Sequence, residues 1–268
     1  MKQVTAKIIR NEPVLKELAR RHARSISGSW LIWLRCPEIA REVRPGQFVM
    51  VRCGEKLTLP RPFSVHRVKE NRVALFFTVW ADGQGTHWLS RRKAGDSLEL
   101  FGPLGNGYDI YRASKNLLLV GGGMGVAPLY FLGEQARDQG YALTLLLGAQ
   151  TASQLYPEKL LPSGIDLVTA TDDGTAGKKG SVSALLPDYT SRADQIFACG
   201  PRAMYRAMSP MPALKDKPVQ VSLEARMGCG LGICYGCTVR INNGLRQVCQ
   251  DGPVFNLNDL PAEELNPI

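Results

Sequence analysis

Four of the seven cysteines fall between positions 229 and 249: Cys229, four residues, Cys234, two residues, Cys237, then eleven residues and Cys249. The first three follow the C-x4-C-x2-C spacing of plant-type iron–sulfur sites, in which a distant fourth thiolate completes the ligand set. Structural zinc sites favour paired C-x2-C knuckles, and only one such pair is present here. The spacing therefore favours a [2Fe–2S] cluster on Cys229, Cys234, Cys237 and Cys249, with structural zinc as the alternative. Gly228, Gly230, Gly232 and Gly236 sit among the thiols and let a tight loop turn its N–H groups toward the cluster sulfides. Thr238–Ile241 and Leu245–Val248 flank Asn242-Asn243-Gly244, a hairpin signal that would carry Cys249 back to the loop. Cys36, Cys53 and Cys199 are expected to be packing residues.

The chain of 268 residues is long enough for two or three modules. Hydrophobic residues at 44% and charged residues at 21% exclude a disordered chain and a coiled coil. No apolar run approaches the roughly 18 residues of a membrane helix. The start, MKQVTAKIIRNE, has no apolar signal core, so a cytoplasmic protein is expected.

Hydrophobic periodicity divides the chain. Val4–Ile9, Trp30–Arg35, Gln47–Arg52, Val73–Val79 and Leu98–Leu100 read as short strands between Gly, Pro and Asn, the pattern of an antiparallel barrel. Pro13–Ala23 departs from it and reads as a short helix or a long basic loop. Further on, Asn116–Val120, Ala142–Leu147, Asp166–Ala170 and Gln195–Ala198 read as buried strands, with a helix over Pro128–Gln139. Strands alternating with helical segments predict a parallel α/β sheet. The expected division is 1–112 (barrel), 113–222 (α/β) and 223–268 (cluster).

The net charge of +9 is concentrated at the front: residues 1–112 carry 20 Lys/Arg against 10 Asp/Glu. These residues are scattered rather than striped, and no nucleic-acid motif accompanies them. Solvated surface, or steering of phosphate-bearing cofactors and an acidic partner, is the expected role.

Gly121-Gly122-Gly123-Met124-Gly125 follows a buried strand and opens a helix, where a pyrophosphate can meet free N–H groups. The usual dinucleotide fingerprint does not fit, since Val126 falls where its third glycine belongs. Cys199-Gly200-Pro201 follows the last expected strand of the sheet, at the edge where a nicotinamide would lie. The segment Gly148–Gln154 has no basic residue for a 2′-phosphate, so NAD(H) is expected over NADP(H); Lys178 and Lys179 are the residues that could reverse this.

Arg61-Pro62-Phe63-Ser64, the glycine loop and Cys199-Gly200-Pro201 together resemble the ferredoxin–NADP reductase superfamily. The resemblance implies an FAD-binding barrel. Within it Arg61 neutralises flavin phosphate, Phe63 lies against the isoalloxazine and Ser64 bonds near N5. Further flavin contacts are implied at Pro62, Thr78, Val79, Trp80, Gly85 and Thr86. Gly102–Gly107 and Thr171-Asp172-Asp173-Gly174 fall in the same family order. The run Glu224-Ala-Arg-Met-Gly-Cys and Cys249-Gln-Asp-Gly-Pro-Val-Phe255 is similar, more narrowly, to the electron-transfer subunits of NAD-dependent dihydroorotate dehydrogenase. That resemblance covers nearly the whole chain. It implies electron passage between NAD and an FMN-containing catalytic subunit, through FAD and the cluster, in a heterotetramer of two copies of each. The short Cys237–Cys249 gap and the 13–23 insert depart from that family's pattern. A short gap also occurs in NADH-dependent ferredoxin:NADP oxidoreductases and sulfide dehydrogenases, some of which carry Asp where this chain has Cys229. Ferredoxin or polysulfide as the electron partner is thus a second reading, and a redox sensor or zinc-bearing interaction module a third. His22, His66 and His87 are the only histidines, and none reads as an acid–base catalyst for dihydroorotate. Leu231, Ile233 and Tyr235 are the expected contact surface for a partner.

Overall fold

The computed structural model describes residues 1–21, 24–55 and 57–266. Six antiparallel strands close the first unit into a barrel: β1 (Lys2–Arg21), β2 (Arg24–Arg35), β3 (Phe48–Val51), β4 (Arg61–Lys69), β5 (Arg72–Trp80) and β6 (Ser97–Leu104), in the order β1-β2-β5-β4-β3-β6. Two short helices, α1 (Pro37–Ala40) and α2 (Gln84–Ser90), lie between strands. β5 shows why the barrel can be packed on both faces. Val73, Leu75, Phe77 and Val79 point into the barrel core, whereas Phe76 turns outward against the α/β unit.

Pro13–Ala23 forms neither the short helix nor the loop that its sequence suggests. Residues 13–21 continue β1, with Leu15 paired to Ser29 and Leu18 to Ile26. Cross-strand pairing with β2 overrides local preference here. His22 and Ala23 lie outside the described residues.

The second unit is a seven-stranded sheet in the order β10-β9-β8-β7-β11-β12-β15. Its strands are β7 (Asn116–Gly122), β8 (Ala142–Ala149), β9 (Asp166–Thr171), β10 (Lys178–Lys179), β11 (Gln195–Cys199), β12 (Val219–Ser222) and β15 (Val254–Asn256). All pair in parallel except β15, which runs antiparallel to β12. The apolar run of β7 is buried from Leu117 onward, as a sheet covered on both faces requires. Helices α3 (Val126–Asp138), α4 (Leu186–Tyr189) and α5 (Arg202–Met208) accompany the sheet. Pro128 is the third residue of α3, where its missing N–H has no intrahelical partner to lose.

Between β12 and β15 the chain forms the cysteine loop and the expected hairpin, β13 (Thr238–Ile241) with β14 (Gly244–Gln247). Pairing of Val221 with Phe255 then returns the chain to the α/β sheet. Cys36, Cys53 and Cys199 are free and buried. Among the described residues, no helix is long and apolar enough to cross a membrane.

Two seams between the barrel and the rest flank the site. On one, His66 of β4 reaches the Ala127 carbonyl through Nδ1 (3.0 Å) and the Tyr156 hydroxyl through Nε2 (3.1 Å). The carbonyl can only accept, so Nδ1 carries the proton and Nε2 accepts from Tyr156. Beside it Arg67 grips Glu134 of α3 through two contacts, Nε–Oε2 at 3.0 Å and Nη2–Oε1 at 2.5 Å. On the other, Asn106 uses its side-chain amide like a strand residue. Nδ2 donates to the carbonyls of Asp251 (3.0 Å) and Val254 (2.8 Å), and Oδ1 accepts from Val254 N–H (2.9 Å).

Candidate functional site

A cleft of about 660 Å³ opens where the barrel meets the α/β sheet. The start of β4 supplies Arg61, Pro62, Phe63 and Ser64, the end of β5 supplies Thr78 and Trp80, and the run into α2 supplies Asp82–Thr86. Met124, Ala127, Pro128 and Cys199 face them from the α/β side. Residues Ser222–Ala225 and Met227 close the end that leads to the cysteine loop. Thus the barrel residues implied by the resemblance share one wall, apart from Val79. Strand alternation turns the Val79 side chain into the barrel core, where it is 1% exposed. Phe63 is itself largely buried, edge-on to Phe77 at 5.7 Å, and shows only part of its ring to the cleft.

The wall has a polar atom in need of a partner. Thr78 Oγ1 is buried without a hydrogen bond, a cost that a ligand polar group in the cleft would remove. Arg61 anchors its Nη1 on the Leu59 carbonyl (2.9 Å), which braces the guanidinium at the rim. Charge, aromatic surface and an unsatisfied hydroxyl fit a flavin nucleotide.

A second cavity, of about 380 Å³, adjoins the first and shares Ile26, Thr78 and Met124 with it. Gly122, Gly123 and Pro201 line it, with Gly148–Gln150, Gln154, Asp172 and Ser181–Ser183. The buried amide nitrogen of Gln154 has no partner there, again consistent with a polar ligand. Gly121, Gly125, Cys199 and Gly200 do not line this cavity. Gly125 instead permits a close approach: a Cβ on it would lie 1.7 Å from the Cys199 carbonyl oxygen. The glycine run therefore serves helix–strand packing at Gly121 and Gly125, and faces the cavity at Gly122 and Gly123. Among the described residues, no basic side chain lines the cavity. Lys178 is ion-paired with Asp188 at 3.1 Å, and Lys179 passes over Gly174.

Cys199 stands where the cleft meets the sheet edge. Burial, reinforced by the nearby Glu224 carboxylate, holds its thiol well above the ordinary range, so it stays neutral. Sequence reasoning gave Glu224 no role. Its only signal was its place at the head of the run before Cys229.

The four loop cysteines form two pairs. All four are free thiols: Cys229 lies within hydrogen-bond reach of Cys234, and Cys249 within reach of Cys237. Among the described residues, no three His, Cys, Asp or Glu side chains converge as a single-ion site. Two thiol pairs suit two irons, each taking two ligands. The outer pair, Cys229 and Cys234, is partly exposed to exposed, and the inner pair is buried. The loop aims N–H groups at the cysteine sulfurs rather than at open space. Leu231 and Cys234 donate to Cys229 Sγ at 3.3 and 3.5 Å, and Gly232 donates to Cys249 Sγ at 3.2 Å. At Cys229 burial opposes ionisation, but these N–H groups outweigh it and bring the thiol down to about 6. At Cys249 burial and the adjacent Cys237 thiol push it up to about 12. A bound cation would favour the thiolate of Cys249, and metal coordination supplies one. Gly230 lets the loop turn with φ +69°, pressed so close to Met50 that a Cβ would lie 2.7 Å from its Cγ.

The loop is joined to the cleft by packing. Phe48, which lines the cleft, belongs to the same apolar core as Met50, Leu104, Cys237 and Cys249. Of the three residues expected as a contact surface, Ile233 and Tyr235 are 72% and 69% exposed, whereas Leu231 packs inward against that core. Leu245 on β14, which the sequence did not single out, is exposed as well.

The sequence profile of the iron–sulfur cluster binding domain of dihydroorotate dehydrogenase B matches residues 224–261. The chain is 35% identical over 268 residues to the dihydroorotate dehydrogenase B (NAD(+)) electron transfer subunit of Geobacillus sp. (strain WCH70), covering 97% of this chain and 99% of that one. The corresponding subunit of Caldanaerobacter subterraneus subsp. tengcongensis is 37% identical over 219 residues, covering 80% and 86%. Among solved structures, an NADH-dependent reduced ferredoxin-NADP oxidoreductase superposes with a TM-score of 0.83 at 30% identity, over 97% of this chain and 91% of that one. A ferredoxin NADP+ reductase from Neisseria gonorrhoeae, with bound FAD and NADP, superposes with a TM-score of 0.63 at 17% identity, over 78% and 89%. The latter likeness is one of fold.

Proposed function

The chain belongs to the family of electron transfer subunits of NAD-linked dihydroorotate dehydrogenase B, and on that premise we propose how its residues carry electrons between NAD and a dihydroorotate-oxidising partner. It is an oxidoreductase component of pyrimidine biosynthesis that uses FAD, a [2Fe–2S] cluster and NAD. Bound together, flavin and cluster supply the exchange between a two-electron hydride and single electrons. The observation that carries the reading is the continuity of one core from the cleft wall at Phe48 to Cys237 and Cys249.

Each residue has a definite task. Arg61 offsets flavin phosphate charge; Pro62, Phe63, Ser64 and Trp80 orient the ring system; Gly85 and Thr86 close over it. Thr78 satisfies its hydroxyl on the flavin, and Val79 contributes main chain only. Gly122, Gly123 and Pro201 receive the dinucleotide, while Gly121, Gly125, Cys199 and Gly200 shape the edge it rests on. A cavity wall with Asp172 and, among the described residues, no cation suits a ribose diol and disfavours a 2′-phosphate. Cys229, Cys234, Cys237 and Cys249 hold the cluster. The chain divides by task near 112 and 222, although β15 crosses back into the α/β sheet. Its family implies a catalytic partner, and Ile233, Tyr235 and Leu245 form the face we assign to it. An FMN-containing subunit fits there, in a heterotetramer of two copies of each. Thiol ligands of this kind suit the reducing cytoplasm.

The test mixes the loaded protein with its cognate FMN subunit. Dihydroorotate-dependent NAD+ reduction is expected from the mixture and not from this chain alone. Cys249→Ser should abolish that coupling and lose iron while flavin stays bound. Failure of the mixture, together with efficient exchange with ferredoxin, would transfer the reading to the oxidoreductase whose structure superposes at a TM-score of 0.83.

A further inference from the structure

Past Lys7, where β1 leaves β6, β1 runs on beside β2, and this β1–β2 arm stays joined to β5 as far as Ile26, opposite Trp80. The register shifts between Pro13 and Leu15 on β1, and between Ile26 and Gly28 where β2 leaves β5. The first lies opposite Ser29–Trp30 and the second opposite Lys16–Leu18, and each adds local twist to the arm. The outer side of this arm lies against the α/β unit. Val14 packs against the core that holds Leu155 and Tyr156. β1 runs alongside the turn Ala152–Gln154. Leu15 forms part of the wall of the second cavity. Ile26 stands with Thr78 and Met124 at the mouth joining that cavity to the cleft. Among the described residues, the rest of the cavity wall comes from the α/β unit, and the barrel adds Leu15, Ile26 and Thr78.

We propose that the β1–β2 arm is the barrel's wall of the dinucleotide site, with Ile26 and Leu15 as positioning residues. Ile26 confines the nicotinamide at the mouth, between Met124 and Thr78, so that the ring faces the cleft. Leu15 covers the part of the dinucleotide farther from that mouth. Both act by excluding water and restricting the bound poses, without taking part in hydride transfer. The proposal rests on the reading that the second cavity takes NAD.

The test uses the loaded full-length protein and three readouts: NAD+ affinity by calorimetry, anaerobic flavin reduction by NADH, and hydrogen exchange of backbone amides 14–18 and 26–28. Ile26→Ala should weaken NAD+ binding about tenfold, the worth of one buried aliphatic side chain, and should also lower the limiting rate of flavin reduction. Leu15→Ala should weaken binding with the limiting rate unchanged. Ile26→Val should recover most of the loss, and NAD+ should slow exchange in the arm. Ala203→Glu places a charge in the opposite wall of the cavity and tests the reading itself. If Ala203→Glu abolishes binding while both arm variants keep wild-type affinity and rate, the arm proposal is overturned and the cavity reading stands. If Ala203→Glu leaves binding intact, the cavity reading fails and the arm proposal fails with it.

Discussion

Against α3 the barrel presents side chains; against residues 251–254 it presents one amide that behaves as main chain. The first seam is aromatic and titratable: His66 stacks on Tyr130 with centroids 4.4 Å apart, and Phe76 meets Tyr156 edge-on at 5.1 Å. The second is made of fixed amide hydrogen bonds through Asn106, with Gly105 set so close that a Cβ would lie 2.5 Å from the Gly252 carbonyl oxygen. One seam sets the angle between barrel and dinucleotide unit and is weakened in acid, because its buried histidine is held neutral. The other sets the distance between barrel and cluster loop through amide hydrogen bonds that do not ionise. An electron relay needs its distances constant, and the structure places the invariant chemistry on the side of the cluster.

The sharpest way to break this contrast is Asn106→Ala. It removes three hydrogen bonds and leaves Val254 groups without partners, at a cost of about 2–4 kcal/mol. Iron should be lost to a chelator faster than in the wild type, with flavin retained and the defect equal at pH 5.5 and pH 8. Simultaneous loss of flavin and iron would show that the seams are not separable.

His66→Phe tests the other seam. Burial, opposed by the Ala127 carbonyl and reinforced by nearby Arg67, pushes His66 down to about 3. The folded protein thus holds His66 neutral while the unfolded chain protonates it below the ordinary value of about 6.5. Wild-type stability should therefore be full above pH 6.5 and fall as pH drops toward 3, by up to about 1.4 kcal/mol per pH unit from this group. The Phe variant should lose about 1–2 kcal/mol at pH 8 through its two missing hydrogen bonds. It should then fall less steeply on acidification, as read by thermal unfolding at a series of pH values. Parallel curves for the two proteins would remove His66 as the titrating element.

The smallest effect belongs to Glu134→Gln. Its partner Arg67 is about one-third exposed, and such pairs contribute about 1 kcal/mol or less. A shift in melting midpoint of only a few degrees is expected, shrinking in high salt. A larger loss would mean that the ion pair, and not the histidine, governs the seam.

The parts of the molecule that sequence reasoning reached are those whose chemistry is local. Cys229 to Cys249 span one loop and one hairpin, so spacing alone implies the ligand set. β7 announces itself by an unbroken apolar run, because both of its faces are buried. Pro13–Arg21 misleads, since Val14, Leu15, Leu18 and Ala19 recur at helical intervals while the segment's partner lies in β2. β15 is equally silent, because three residues acquire strand character only by meeting β12. The cleft is intermediate: its motif at Arg61–Ser64 is contiguous, but Glu224, Met124 and Met227 join it only through the fold. The inward turn of Leu231 depends on a core contributed by β3 and β6, which no local pattern records.

The return of residues 254–256 to the α/β sheet also orders events during synthesis. Until the ribosome has passed Asn256, β12 is the sheet's outermost strand, with its backbone groups facing outward unpaired. The whole cysteine loop emerges in that interval. An open edge is a template for pairing with other chains, so a nascent subunit is most vulnerable to association while its metal ligands are newly made. Loading of iron and closure of the sheet are therefore competing tasks for the same last stretch of polypeptide, and limited iron supply should appear as aggregation as well as lost colour.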